Sequence, residues 1–153
     1  MRSTTETTAF FDTNILLYAR LGDDAGKQAR AAQMMIALSA TDRGYISTQV
    51  LAEMFDTLVR RLGVGSRFHV LEHVHGTADA FRVLPTGPQV SLMAAEVAAR
   101  RGLRIYDALI WASAWQAGLP VVLSEDFAHR QEIEGVTFLN PFASDFELAE
   151  IGC

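Results

Sequence analysis

The chain has a single cysteine, Cys153. No internal disulfide can form, which fits a reducing compartment. Its position also fails the prenylation box, whose cysteine stands fourth from the end. No apolar run reaches the ~18 residues that a membrane span requires, so no membrane association is expected. No signal-peptide pattern opens the chain, because Met1 to Thr8 is polar and no apolar stretch with a small-residue cleavage site follows. A cytoplasmic location is the expectation. Basic charge is not in excess either. Lys and Arg number 13 against 18 Asp and Glu, a net charge of −5, which argues against a passive, broadly basic nucleic-acid binder. It does not argue against a metal site, whose bound ions a formal count omits. Repeats and low-complexity segments are absent.

Apolar mass is plentiful. Half of the 153 residues are hydrophobic, and the mean hydropathy is +0.15. This length supports one domain with a substantial core. The expectation is one domain over residues 1–153, with a polar lead-in at 1–7 and a short tail at 143–153. Ala9 to Phe11 reads as a strand. Lys27 to Leu38 reads as a helix after a polar loop, and Gly44 to Ser47 as a strand. Gln49 to Leu62 carries Val50, Leu51, Met54, Leu58 and Leu62 at helical spacing. Gly63-Val64-Gly65 interrupts that pattern, and Ser66 is placed to cap a helix from Arg67 to about His75. Ala80 to Leu84 reads as a short strand. Pro88 to Arg101 reads as a helix closed by Gly102. Ile105 to Ala117 is a helix apolar enough to be buried on most sides. Val121 to Ser124 and Thr137 to Leu139 are the last strands. Strands that alternate with helices indicate βαβ units, the α/β class and a parallel sheet.

Four acids stand near the points where strands end or helices begin. Asp12 closes the run Ala9-Phe10-Phe11 and precedes Thr13-Asn14 and a second apolar run, Ile15-Leu16-Leu17-Tyr18. An unpaired buried carboxylate is very costly, so this position calls for donors, cations or a metal. Glu53 follows the strand Gly44 to Ser47. Asp107 opens the apolar helix, and Asp126 follows Val121 to Glu125. Helix capping and dipole preferences explain any one of them. In an open parallel sheet, however, the strand carboxyl ends face one way and ligands bind in the crevice beyond them. The four are therefore expected to converge. Oxygen ligands of this kind select Mg²⁺ or Mn²⁺ over zinc. Glu125 shares the turn with Asp126, and neighbours on extended chain point to opposite sides.

Other motifs compete for attention. His69-Val70-Leu71-Glu72-His73 spells the inverted zinc-peptidase motif H-x-x-E-H, and His75 adds a third imidazole nearby. A third ligand is needed, and no downstream acid stands in a matching context. The helix otherwise reads as an amphipathic packing helix. Gly63-Val64-Gly65 fails as a phosphate loop, since the third glycine is missing and a helix precedes it. Asp12-Thr13-Asn14 is similar to the phosphotransferase pattern, but Asn14 stands where a second Asp is typical. Arg60, Arg61, Arg67, Arg82, Arg100, Arg101 and Arg104 are the candidate phosphate contacts. Arg104, three residues before Asp107, is the best placed. No Ser/His/Asp or Cys/His nucleophile set is apparent.

From about Thr8 to Phe142 the chain resembles PIN-domain proteins, and in particular the VapC-type ribonuclease toxins of toxin–antitoxin pairs. The resemblance rests on Phe11-Asp12-Thr13-Asn14-Ile15-Leu16, the Glu53 helix, Tyr106-Asp107-Ala108-Leu109-Ile110, Leu123-Ser124-Glu125-Asp126-Phe127 and Val136 to Phe142. It implies a three-layer α/β/α domain with a mainly parallel sheet. It also implies a Mg²⁺- or Mn²⁺-dependent endoribonuclease that hydrolyses RNA, forms a homodimer and is restrained by an antitoxin. Asp12, Glu53 and Asp107 would hold the primary ion, and Asp126 a second ion or its water. Asn14 and Ser124 would orient ligands. The alternatives are a PIN-like binding module with a dead site, or a zinc metallopeptidase using His69, Glu72 and His73.

Overall fold

In this computed structural model, residues 6–153 are described; the first five residues of the polar lead-in lie outside them. The elements run β1 (Ala9–Phe11), α1 (Thr13–Leu21), α2 (Ala25–Ala40), β2 (Gly44–Ser47), α3 (Thr48–Leu62), α4 (Arg67–Ala80), β3 (Arg82–Leu84), α5 (Pro88–Arg101), α6 (Ile105–Gln116), β4 (Val121–Leu123), β5 (Gln131–Ile133) and β6 (Val136–Leu139). Short 3-10 turns occupy Val64–Ser66 and Leu148–Ile151. The sheet order is β3-β2-β1-β4-β6-β5, and every pairing is parallel except β5 with β6. Every residue of β1 and β4 is buried, as expected of parallel strands covered on both faces. Helices flank the sheet in a three-layer α/β arrangement.

The chain moves from β1 outward to β2 and β3, then returns to place β4 on the other side of β1. The carboxyl ends of β1 and β4 therefore lie at the topological switch point, where open α/β sheets leave a crevice. Register brings Phe11 opposite Leu123, and the Asp12 amide donates to the Leu123 carbonyl at 3.0 Å. The acids that follow the two strands thus start side by side.

Helix ends follow local chemistry. Asp12, Asp24 and Ser47 cap α1, α2 and α3 with side-chain oxygens. Pro88 opens α5, and Gly102 closes it in the left-handed region (φ 68°). Helix α3 buries Val50, Met54 and Leu58. Leu62, the last member of its apolar stripe, is instead 52% exposed. Helix α6 buries Ala108, Ile110, Trp111, Ala112, Ser113 and Ala114, close to the all-round burial its composition predicts. The Trp111 indole N–H donates to the Ile133 carbonyl at 2.9 Å and ties α6 to the sheet edge.

Three local expectations need correction, and two features were unforeseen. Ser66 makes no cap bond and lies in the 3-10 turn, its hydroxyl donating to the Gly63 carbonyl. Helix α4 does not stop near His75. It continues through Gly76 because Thr77 is buried and its hydroxyl returns to the His73 carbonyl at 2.9 Å; packing outweighs the weak helix propensity of glycine. Ala80 consequently belongs to α4, not to β3. Strand β5 was not expected. It forms a hairpin with β6 around Glu134 (φ 48°) and Gly135 (φ 86°), the doubly positive pair that a tight type I′ turn demands. The tail beyond residue 142 also packs. Phe146 and Ile151 are buried. Buried Arg43 donates to the carbonyls of Thr7, Ile151 and Gly152 and so joins the two ends of the described chain.

Candidate active site

Asp12 is the floor of the site. Its position between β1 and α1 leaves the residue only 5% exposed. Oδ1 accepts the Thr13 amide at 2.7 Å, and Oδ2 accepts the Ser124 hydroxyl at 2.7 Å. Burial raises its pKa from 3.8 to about 7; the charges of Asp126 and Glu53 push the same way, while the Ser124 and Thr13 bonds oppose the shift. Ser124 is fully buried and works in two directions: its oxygen also accepts the Asp126 amide at 3.1 Å.

The other three acids are each held by a local donor. Glu53 on α3 accepts the Thr13 hydroxyl at 2.8 Å and the Gln49 amide at 2.7 Å. Asp107 in the first turn of α6 accepts a two-pronged contact from Arg104, at 2.9 and 3.2 Å. Asp126 accepts the Asn14 side-chain amide at 3.0 Å. All four acids, with Asn14 and Arg104, line one open cavity of about 650 Å³. The structure thus brings together the four acids, Asn14 and Arg104; Ser124 lies directly beneath, bonded to Asp12.

Sequence reasoning missed the connectors. Thr13 and Gln49 orient Glu53, and Asp56 and Tyr106 complete much of the wall beside Arg60, already a candidate phosphate contact. Thr13 carried a signal, since it stands between two residues already singled out. Gln49 carried one only in its position one turn before Glu53. Of the remaining arginines, Arg82 pairs with Asp42, and Arg100 and Arg101 pair with Glu134. These three and Arg67 do not line the cavity. Glu125 also faces away from it. Its carboxylate accepts Tyr18 at 2.5 Å and Lys27 at 2.9 Å.

The donor set has the chemistry of a hard divalent cation site: carboxylates from four segments, one of them buried and held near neutrality. Two buried oxygens beside them, Asn14 Oδ1 and Gln49 Oε1, have no partner. Among the described residues, no three His, Cys, Asp or Glu side chains are grouped closely enough to enclose an ion as they stand. An ion would take over from Arg104 as the charge facing Asp107. On α4 the same observation leaves His69 and His73 as a pair, their Nε2 atoms 3.1 Å apart, with Glu72 on the other ring nitrogen of His69 at 3.9 Å. The zinc-peptidase set is therefore not assembled.

The fold and cavity define a class, an α/β protein with a carboxylate-lined cleft at the sheet switch point. The family model for the PIN domain matches residues 9–131, and the chain belongs to the PIN-domain family. Among curated proteins none matches it by sequence. Its structure is similar to a toxin–antitoxin complex from Klebsiella pneumoniae (TM-score 0.62, 23% identity, 88% of this chain and 98% of that one). It is also similar to the DNA-bound VapBC complex from Salmonella typhimurium (0.64, 20%, 86% and 96%). A third match is the sarcin–ricin loop-cleaving toxin VapC20 from Mycobacterium tuberculosis (0.61, 21%, 75% and 87%). The fold is that of VapC-type PIN toxins.

Proposed function

We propose that this protein is a Mg²⁺- or Mn²⁺-dependent endoribonuclease that hydrolyses RNA phosphodiester bonds, acting as the toxin of a toxin–antitoxin pair. One observation carries the reading: four carboxylates from four separate segments line a single cavity at the switch point of a PIN fold. The relatives support the choice of reaction and partner, since one is a sarcin–ricin loop-cleaving toxin and others are a toxin–antitoxin complex and a VapBC complex.

Asp12, Glu53 and Asp107 would hold the primary ion in this reading, and Asp126 would serve a second ion or its water. Bound ions lower the pKa of an attacking water and stabilise the leaving oxygen. The chain's own residues prepare for this. Ser124 fixes the direction of the Asp12 carboxylate and the backbone of Asp126. Asn14 holds Asp126, and Thr13 holds Glu53. Arg104, exposed at the cavity edge, is free to exchange Asp107 for a substrate phosphate. The protein works in the cytoplasm as a homodimer, restrained by an antitoxin whose basic side chain faces Asp12 and Asp107.

The test is cleavage of RNA by purified protein with Mg²⁺ or Mn²⁺, with EDTA, and after Asp12→Asn. Metal-dependent cleavage lost in the variant supports the reading; cleavage that resists EDTA overturns it. No observation favours the binding-module or peptidase alternatives, since all four acids are present.

A further inference from the structure

Beside the acid cavity lies a second one of about 390 Å³, and the two share Asn14, Leu17 and Thr57 in their walls. The two chambers thus adjoin across these three residues. Three polar groups from distant parts of the chain meet in the second. Glu125 follows β4 and accepts the Tyr18 hydroxyl of α1 at 2.5 Å and the Lys27 ammonium of α2 at 2.9 Å. Lys27 also reaches the Tyr18 oxygen at 3.2 Å. Its ammonium lies 4.7 Å from the Tyr18 ring centre and 5.1 Å from that of Phe142. Lys27 is the only lysine in the chain. Leu17 and Leu21 supply apolar wall, and Arg61, paired with Asp23, stands at the same chamber.

Asp126 and Glu125 are consecutive, yet one faces the acid chamber and the other this one. The turn after β4 thus joins the proposed chemistry to a second set of groups. That set does not suit a phosphate, because the chamber carries Asp23, Asp24 and Glu125 against Lys27 and Arg61. It suits a flat apolar body with a mixed donor and acceptor edge. Its volume falls near the lower end of the 300–1,000 Å³ typical of ligand sites, which fits one nucleoside rather than several.

We propose that the second chamber is the subsite for one nucleobase of the RNA, next to the bond being cut, and that the Lys27–Glu125 pair reads guanine there. Guanine presents O6, an acceptor, beside the N1–H and N2–H donors on its Watson–Crick edge. An ammonium beside a carboxylate offers the complementary order. Adenine lacks the carbonyl, the carbonyl of cytosine adjoins an unprotonated ring nitrogen, and uracil gives the carboxylate one N–H where guanine gives two. Tyr18 holds Glu125 in place, and Leu17 and Leu21 contact the face of the base. Tyr18 is kept protonated here, because its bond to Glu125 raises its pKa. The inference rests on the ribonuclease reading of the adjoining cavity. The competing view is that Tyr18, Lys27 and Glu125 only tie α1 and α2 to the loop after β4.

The decisive experiment cleaves a random-sequence RNA pool with wild type, Lys27→Met and Glu125→Gln, and sequences the ends. Wild type should favour guanine at one position beside the cut, by roughly 5- to 150-fold, the worth of a good bidentate base contact. Both variants should lose that preference. In a second arm, Asp12→Asn protein is titrated with 5′-GMP, AMP, CMP and UMP while the Leu17 and Leu21 methyl resonances are followed. GMP should bind most tightly and shift those methyls, and Lys27→Met should abolish the difference. Unchanged base preference with a lowered Tm would make the cluster a structural tie and overturn the subsite. Wild type that cleaves no RNA would instead defeat the ribonuclease reading, and the nucleotide arm alone would then decide whether the chamber takes guanine.

Discussion

Replacing Asp12 by Asn removes a charge that the fold buries at the floor of the acid cavity. The side chain keeps its shape, so an amide can still accept the Thr13 N–H and donate to Ser124. In the folded protein Asp12 binds its proton up to about pH 7, against 3.8 ordinarily. Between those two values the folded state holds a proton that the unfolded chain has released. Stability therefore falls as pH rises through this window, and the full penalty is present above about pH 7. At about 1.4 kcal/mol per pH unit the gap corresponds to about 4 kcal/mol for a rigid site, and to about half of that where water and side chains relax around the charge. Asp12→Asn should therefore match wild type near pH 4 and exceed it by about 2–4 kcal/mol at pH 8, or roughly 4–16 °C in Tm for a chain of this length. Millimolar Mg²⁺ at pH 8 should raise the Tm of wild type and leave that of the variant nearly unchanged, because a bound cation removes the same penalty. Thermal scans at pH 4.5, 6 and 8, with and without Mg²⁺, measure all of this. A variant no more stable than wild type at pH 8, or equally stabilised at every pH, would falsify the account of Asp12 as a buried charge awaiting a cation.

Other substitutions probe the same architecture. Asp126→Asn should lower kcat for RNA cleavage at least about tenfold, whereas Glu125→Gln should act mainly through KM; the reverse pattern in steady-state kinetics would exchange their assignments. Ser124→Ala should cost about 1–3 kcal/mol, since it strips one buried acceptor of its donor, and about 10- to 100-fold in metal affinity or activity; denaturant melts and calorimetry report the two separately. Arg104→Gln should tighten Mn²⁺ binding by removing the cation that competes for Asp107, while raising KM for RNA. Looser Mn²⁺ binding in calorimetry would contradict the exchange of partners. The exposed apolar side chains Leu62, Val64, Phe68 and Leu71 are expected to be covered by association. Light scattering should find a dimer at micromolar concentration, and an antitoxin whose tail Arg and Lys are changed to Ala should inhibit less.

What the sequence made legible was whatever has a local cause. Pro88 and Gly102 bracket α5 because one fits the first helical turn and the other fits the left-handed closing position. The burial of α6 follows from its apolar composition, and the convergence of the acids follows from parallel strands whose ends face one way. Features with a long-range cause were invisible. Tyr18 and Glu125 are 107 residues apart in the chain, and nothing at either position announces the other. Arg43 reads as an ordinary turn residue, yet it is buried against carbonyls from both ends of the described chain. The β5–β6 hairpin escaped notice because Gln131 and Glu132 are polar and exposed on an edge strand, which is how sheet edges avoid pairing with other chains.

The sheet order has an engineering consequence. Asp12 and Glu53 belong to the stretch that ends at the edge strand β3, and Asp107 and Asp126 to the stretch that begins at Pro88. The two stretches adjoin within the sheet at a single seam, the pairing of β1 with β4. A nick in the Pro85–Gly87 connection would leave Asp12 and Glu53 on one fragment and Asp107 and Asp126 on the other, with the complete set on neither. Expressed apart, the halves would be inert; brought together by fused partners, they would rebuild the cleft along that seam. The fold thus offers a natural cut site for a split reporter, in which cleavage signals that two tethered proteins have met.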